Sequence, residues 1–387
     1  MDSENIFSDI DSSNIVDHWT NQANTGEPLI GEVLFPQKVQ TDSQVEWYRG
    51  QNTAVAPLAL SSFDTESHIR DRSGLQKIST NTQYSKDSFY IDEKTRQQLL
   101  RVQASGTDAQ KDALLNHVFQ DTDNLIKGAQ TTAELMRLNM LKTGKINLRS
   151  NGVQMDVDYQ MKQSHINNSD TLWTDDKSNP YNDIQVAMDT INADSGLTPT
   201  RILMNTVTYR ALQSNDKVKQ TILNPAINSG AVSVSNSMIN SYLSDLGLAV
   251  QTYDKQYLGY DGQMHKYIED GQVIIMPDGD LGSTYFSTTP EQADLLSAQD
   301  VDVSVTDGVA ITTYLTRDPV NKKIRASQQL IPSFEMIDGV YVINNVASFQ
   351  ANRDKASNPI DDSSSNTGKG SNSSSSSSSS GSSAKKS

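Results

Sequence analysis

The sequence predicts an α+β fold in which an α/β unit is inserted between two groups of strands. Three observations predict it. A helical apolar period runs unbroken from about residue 107 to 143. Strand-like alternation lies on both sides of a mixed segment, at 145–161 and at 309–346. The mixed segment, about 179–290, alternates helical and strand signals. The two outer strand groups are expected to share one sheet.

The chain has 387 residues and a net charge of -15, with no cysteine. That charge argues against a dedicated nucleic-acid binder, whose basic face must release counterions. The missing cysteine removes disulfides, thiolate metal sites and thiol nucleophiles. The first residues, MDSENIFSDIDSS, are acidic where a secretory leader is basic and then apolar, and no run of apolar residues is long enough to span a membrane. These features predict a soluble intracellular protein.

Residues 1–45 carry scattered apolar positions, Ile6, Ile10, Ile15, Val16 and Trp19, between polar breaks, and predict an anchored, non-globular arm. Residues 46–91 show no helical period. VEWYRG and TAVAPLAL are strand-like, and the polar stretch after them is nearly coreless until FYI at 89–91. Such length without buried positions is unusual in a compact domain and predicts an extended hairpin whose partners lie on another subunit. The helix that follows is signalled by Thr107 and Gln110 at capping-box spacing and by Gly144 at its end. Leu115, Val118, Thr122, Ile126, Ala129, Ala133, Met136 and Met140 form its stripe. At about 35 residues and ~50 Å it is a strut rather than an ordinary helix. Asn151-Gly152 then predicts a hairpin turn. From about 351 the chain becomes a Ser/Gly-rich tail with no apolar residues to form a core, expected to be disordered.

Sequence motifs for chemistry are absent or broken. VIIMPDGDLGSTYFSTTPE, residues 273–291, sets Asp278 and Asp280 among glycines, but a calcium loop from Asp278 needs Gly and Glu where Ser283 and Thr289 stand. The stretch predicts a buried strand running into a turn. His18, His68, His117, His165 and His265 are dispersed without metal-ligand spacing. No catalytic, cofactor-binding or metal residue is assigned, and no enzyme activity or cofactor is expected.

Four passages carry a family resemblance. They are LMRLNMLKTGKINLRSNGVQMDVDY, LWTDDKSNPYNDIQVAMDTI, VIIMPDGDLGSTYFSTTPE and SQQLIPSFEMIDGVYVINNVA, in that order over most of residues 90–347. Together they resemble the major capsid proteins of tailed bacteriophages, the lambda-type major head protein family with the HK97-like fold. The resemblance implies an N-terminal arm at 1–45 and an extended E-loop at 46–91. It implies a peripheral domain at 92–178 with a spine helix at about 107–143 and a β-hairpin. An axial domain at 179–307, returning peripheral strands at 308–350 and the tail at 351–387 complete the partition. It implies self-association into hexamers and pentamers of an icosahedral shell, assembled in the host cytoplasm and enclosing double-stranded DNA without sequence-specific binding. A separate scaffolding protein and a portal are the implied partners, since few residues precede the E-loop, with room for a decoration protein and no role for a membrane. Trp47, Arg49, Arg70, Asp71, Arg72 and Lys77 are the candidate intersubunit contacts. A covalent crosslink of Lys77 to Asn344 or Asn345 is not expected in this family. The other reading weighed is a non-enzymatic surface adhesin or binding module on a Ser-rich stalk.

Overall fold

Strands from near the two ends of the chain lie side by side, so the fold closes only when both are in place. The computed structural model describes residues 10–23, 28–49, 60, 63–66, 76–91, 93–223, 234–294, 301–318 and 320–348. The expected Ser-rich tail, 351–387, and the first nine residues of the expected arm lie outside the described residues, as does nearly all of TAVAPLAL.

The chain opens with α1 (Ser12–Ala23), α2 (Ile30–Leu34), β1 (Gln37–Gln40), β2 (Gln44–Arg49), β3 (Gln76–Asn81) and β4 (Gln83–Ile91). Two helices follow, α3 (Glu93–Ser105) and α4 (Asp108–Thr143), then the hairpin β5 (Lys145–Ser150) and β6 (Val153–Asp158) and the short β7 (Ile166–Asn168). The mixed region holds α5 (Pro180–Ser195), β8 (Arg201–Met204), α6 (Thr206–Ser214), α7 (Asp216–Leu223), α8 (Asn236–Asp245), β9 (Ala249–Thr252), β10 (Gln256–Leu258), β11 (Met264–Lys266) and β12 (Val273–Met276). After it come β13 (Thr284–Ser287), α9 (Pro290–Asp294), β14 (Val301–Thr306), β15 (Val309–Arg317), β16 (Val320–Pro332) and β17 (Tyr341–Asn344).

The long helix α4 has 36 residues, roughly 54 Å. Its first turn is closed by the Gln110 side chain, which accepts from the Thr107 backbone N–H at 3.2 Å. Its end is closed by Gly144 at φ 67, whose N–H donates to the Met140 carbonyl at 2.8 Å. The stripe Val118, Thr122, Ile126, Ala133, Met136 and Met140 is buried. The N-terminal half packs with α1 against the six-stranded sheet, where Ile15, Trp19, Ile126, Ile311 and Ile324 form one core. The C-terminal half packs into a second core with Phe35, Trp47, Tyr159, Tyr253 and Phe334.

The six-stranded sheet runs β1-β13-β16-β15-β14, with β4 paired antiparallel to β16 from Gln83↔Leu330 to Ile91↔Lys322. A five-stranded sheet, β7-β17-β12-β8-β9, is flanked by α5–α8 around Trp173, Ile191, Leu212 and Ile275. Smaller pairs are β2–β3, β5–β6 and β10–β11.

One expectation needs correction. The strand groups 145–161 and 309–346 do not share a sheet: β5 and β6 pair only with each other among the described residues, turning at Asn151 (φ 49) and Gly152 (φ 78). Among the described residues of the polar stretch 61–88 only Thr82 is buried, and the strand-like VEWYRG ahead of it holds the buried positions. Val45, Trp47 and Arg49 alternate inward along β2, and β4 lies inside the six-stranded sheet of its own chain. β13 and β14, within 179–307, belong to the six-stranded sheet, and β17, within 308–350, belongs to the five-stranded one.

Candidate functional site

The β2–β3 hairpin carries three of the six sequence-nominated contact residues. The other three, Arg70, Asp71 and Arg72, lie outside the described residues. Alternation along β2 and its register with β3, where Lys77 lies opposite Tyr48, split the three that remain between two faces. Trp47 and Arg49 point inward and are 3% and 9% exposed, while Lys77 stays half-exposed on the outer face.

Trp47 stacks on Tyr159 with ring centroids 5.7 Å apart, and the Tyr159 hydroxyl donates to the Pro332 carbonyl at 2.6 Å. Burial pushes the Tyr159 phenol upward. Arg49 reaches Asp338 with two nitrogens, Nη2 at 3.0 Å and Nε at 3.3 Å, and donates through Nη1 to the Gln160 carbonyl at 2.7 Å. This is bidentate geometry, which a lysine cannot reproduce. Burial alone would raise the Asp338 carboxyl, but Arg49 and then Lys162 hold it below its ordinary value. Lys162 lies 3.5 Å from Asp338 and 3.0 Å from Asp194, and Asp194 lies 2.9 Å from His165 Nε2. The buried His165 presents Nδ1 to the Val340 carbonyl at 2.8 Å. The network therefore ties the base of the hairpin to helix α5 and to the approach to β17.

Lys77 pairs with Glu46 at 2.7 Å across the hairpin, and that hydrogen bond raises the lysine pKa. In sum, Trp47 and Arg49 root the hairpin in its own chain, and Lys77 is presented to solvent.

A second junction was not legible in the sequence. Glu134, on α4, is fully buried; its Oε1 accepts from the Gly31 N–H at 2.9 Å and from the Tyr253 hydroxyl at 3.0 Å. Arg137, one turn on, donates from Nε to Thr284 Oγ1 at 2.8 Å, and Thr284 donates to the Phe35 carbonyl at 2.8 Å. Burial raises the Glu134 carboxyl and lowers Arg137. One pair on α4 thus holds α2, the end of β9 and β13 together. The available sequence signal was two charges one turn apart beside the apolar stripe, a pattern that ordinary solvent-facing helix pairs share.

Asp278 and Asp280 are exposed at a turn whose carbonyls, Pro277 and Gly279, accept from Arg201 at 2.6 Å. A polar cleft of about 440 Å³ lies between the end of α4 and the five-stranded sheet, lined by Asn139, Lys142, Lys145, Asn168, Glu269 and Asn344. Lys142 is buried there and its amine is lowered by desolvation. Asn344 spends its amide on Gln272 and Asn168, both at 3.0 Å. Among the described residues no cluster of three His, Asp or Glu side chains could hold a metal ion, and no helix is long and apolar enough to cross a membrane.

The model of the phage major capsid protein E family matches residues 12–343, from α1 to β17. No curated protein matches the sequence. Among solved structures, the fold is similar to that of a protein assigned as a prophage capsid protein in E. coli CFT073. That similarity has 16% identity and a TM-score of 0.56, covering 87% of this chain and 99% of that one. A phage-related protein from Bordetella bronchiseptica RB50 is similar at 13% identity and a TM-score of 0.50, covering 87% of this chain and 98% of the other. At these identities the likeness is one of fold, the HK97-like arrangement of helices and sheets.

Proposed function

The chain belongs to the phage major capsid protein E family, and from that premise we propose that it is the repeating wall subunit of a phage head. Copies of it close into hexamers and pentamers of an icosahedral shell around double-stranded DNA. The observation that carries this reading is the family match over residues 12–343, which takes in both sheets and the long helix. The net charge of -15 suits an inner wall that must not grip the genome. The role is structural, located in the virion, and assigns no residue to catalysis. The family match lends no support to the stalk-borne adhesin.

In this reading α4 is the spine helix, the six-stranded sheet belongs to the peripheral domain and the five-stranded sheet to the axial domain. Residues 46–91 form the E-loop, with Trp47 and Arg49 as its root and Lys77 among the residues that meet a neighbour. Arg70, Asp71 and Arg72 remain contact candidates. A separate scaffolding protein and a portal are the assembly partners, a decoration protein is a further one, and assembly takes place in the host cytoplasm. Electron microscopy of the purified chain, expressed with its scaffold, tests the reading. Closed shells built of hexamers and pentamers are the expected outcome; a preparation holding only monomers and small oligomers would refute it.

A further inference from the structure

The cleft between the end of α4 and the five-stranded sheet holds about 440 Å³. Among the described residues its lining is carboxamides, lysines and acids with one threonine and one glycine, so an apolar ligand has nothing there to bury against. Most of its charges are answered elsewhere. Lys145 pairs with Asp158 at 2.9 Å across the β5–β6 hairpin, and Asp270 meets Lys266 at 2.6 Å and the Asn205 amide at 2.5 Å. Lys142 differs. Its side chain is 8% exposed, and among the described residues its one partner is Glu269 Oε1 at 3.5 Å, the outer limit of a hydrogen bond. Glu269 is itself 72% exposed, a carboxylate held mainly by water. An ammonium has three N–H donors, so two of those on Lys142 are unspent in a buried position. Desolvation lowers this amine by more than Glu269 restores.

The carboxamides beside it are polarised in one direction. The Glu269 backbone N–H donates to Gln272 Oε1 at 3.4 Å, which fixes the orientation of that amide. Gln272 Nε2 then donates to Asn344 Oδ1, and Asn344 Nδ2 to Asn168 Oδ1, both at 3.0 Å. The relay ends on Asn168 Nδ2, which has no acceptor among the described residues. The buried ammonium and the end of the relay are therefore both donors, and what they lack is an acceptor with negative charge.

We propose that this cleft is a binding site for a carboxylate carried on a hydrophilic body, with Lys142 and Asn168 as its donors. One buried cation balances a single negative charge, which favours a carboxylate over a phosphate carrying nearly two. Glu269 is a placeholder that leaves Lys142 for water when the ligand enters. Both a small free acid and an acidic protein side chain carry the required chemistry. Either one, once bound, fastens the end of α4 to β7. Nothing in this assignment depends on shell formation, so a chain that never forms shells leaves it standing.

Calorimetric titration of the full-length protein uses two probes, gluconate and a capped Gly-Glu-Gly peptide. Each is run beside its uncharged counterpart, sorbitol and capped Gly-Gln-Gly. Saturable binding of a charged probe at roughly millimolar concentration, with neither counterpart bound, is the expected result. Binding of gluconate alone supports the site with a free acid as the source, and binding of the peptide alone supports it with a protein side chain. Glu269→Gln removes the placeholder and is expected to tighten binding about threefold. That change is exposed and predicts a gain, so misfolding cannot imitate it. Lys142→Met is expected to weaken binding about tenfold or more, and Asn168→Ala about threefold. The inference is overturned by no saturable binding of either charged probe, by equal binding of the uncharged counterparts, or by inorganic phosphate binding more tightly than both probes. A Glu269→Gln protein that binds no more tightly, or a Lys142→Met protein that keeps full affinity, overturns it as well.

Discussion

Arg49 and Asp338, 289 residues apart, are joined by two parallel contacts that fasten strand β2 to the approach of β17. Both are largely buried, so the pair is a fixed joint rather than a surface ion pair.

Removing one side of this joint strands the other. Arg49→Ala is expected to destabilise the subunit by about 2–4 kcal/mol, read from the denaturant midpoint. Arg49→Lys recovers only part of that, because one ammonium cannot serve both carboxylate oxygens and the Gln160 carbonyl. The pH dependence follows from the depressed Asp338 pKa. Its stabilisation is complete above the unfolded value of about 4 and is lost as pH falls through the lower folded value. Asp338→Asn should therefore flatten the acid limb of the stability curve; an unchanged limb would refute the assignment.

Glu134 predicts the opposite sign. Burial raises its folded pKa, so its ionised form costs stability above about pH 4.3 and that cost shrinks as pH falls through the folded value. Glu134→Gln keeps the acceptor for the Gly31 N–H and the Tyr253 hydroxyl and should cost less than Glu134→Ala. The alanine leaves both donors and the buried Arg137 unanswered, at about 3 kcal/mol or more. Equal losses for the two variants would show that these hydrogen bonds do not matter.

Two glycines of the long helix should respond in opposite directions. Gly128 has open space around the position of a Cβ, so Gly128→Ala is expected to stabilise by about 0.5–1 kcal/mol. Gly144 sits at φ 67, and its Cβ would collide with the Met161 side chain, so Gly144→Ala should destabilise by about 1–3 kcal/mol. Thermal melts of the two variants check both signs at once.

Lys77 separates folding from assembly. It is well exposed and bonded to Glu46. Lys77→Glu is expected to leave the melting temperature of the free subunit unchanged while lowering the yield of shells. Loss of subunit stability instead would place Lys77 with Trp47 and Arg49 in the root.

The long helix and the turn at Asn151-Gly152 were legible because their signals are local: a cap, a period and a dipeptide that tolerates positive φ. Sheet partners were not. Alternation shows that a strand has two faces without naming the strand beside it, which is why β5 and β6 were expected beside 309–346. Arg49 was named as a candidate contact because the resemblance places it in the E-loop. Its burial depends on Asp338, a partner no local pattern could indicate.

The pairing of β4 with β16, sealed by Gln329 donating to Thr82 across 247 residues, also sets a schedule for synthesis. A nascent chain shows the ribosome-side world an unpaired β4 edge until residues near 330 have emerged, and β7 waits longer still for β17. Contacts this distant form slowly and leave open edges meanwhile. A chain cut short before β16 cannot complete the six-stranded sheet, and one cut short before β17 leaves β7 and β12 unpaired on that side of the five-stranded sheet.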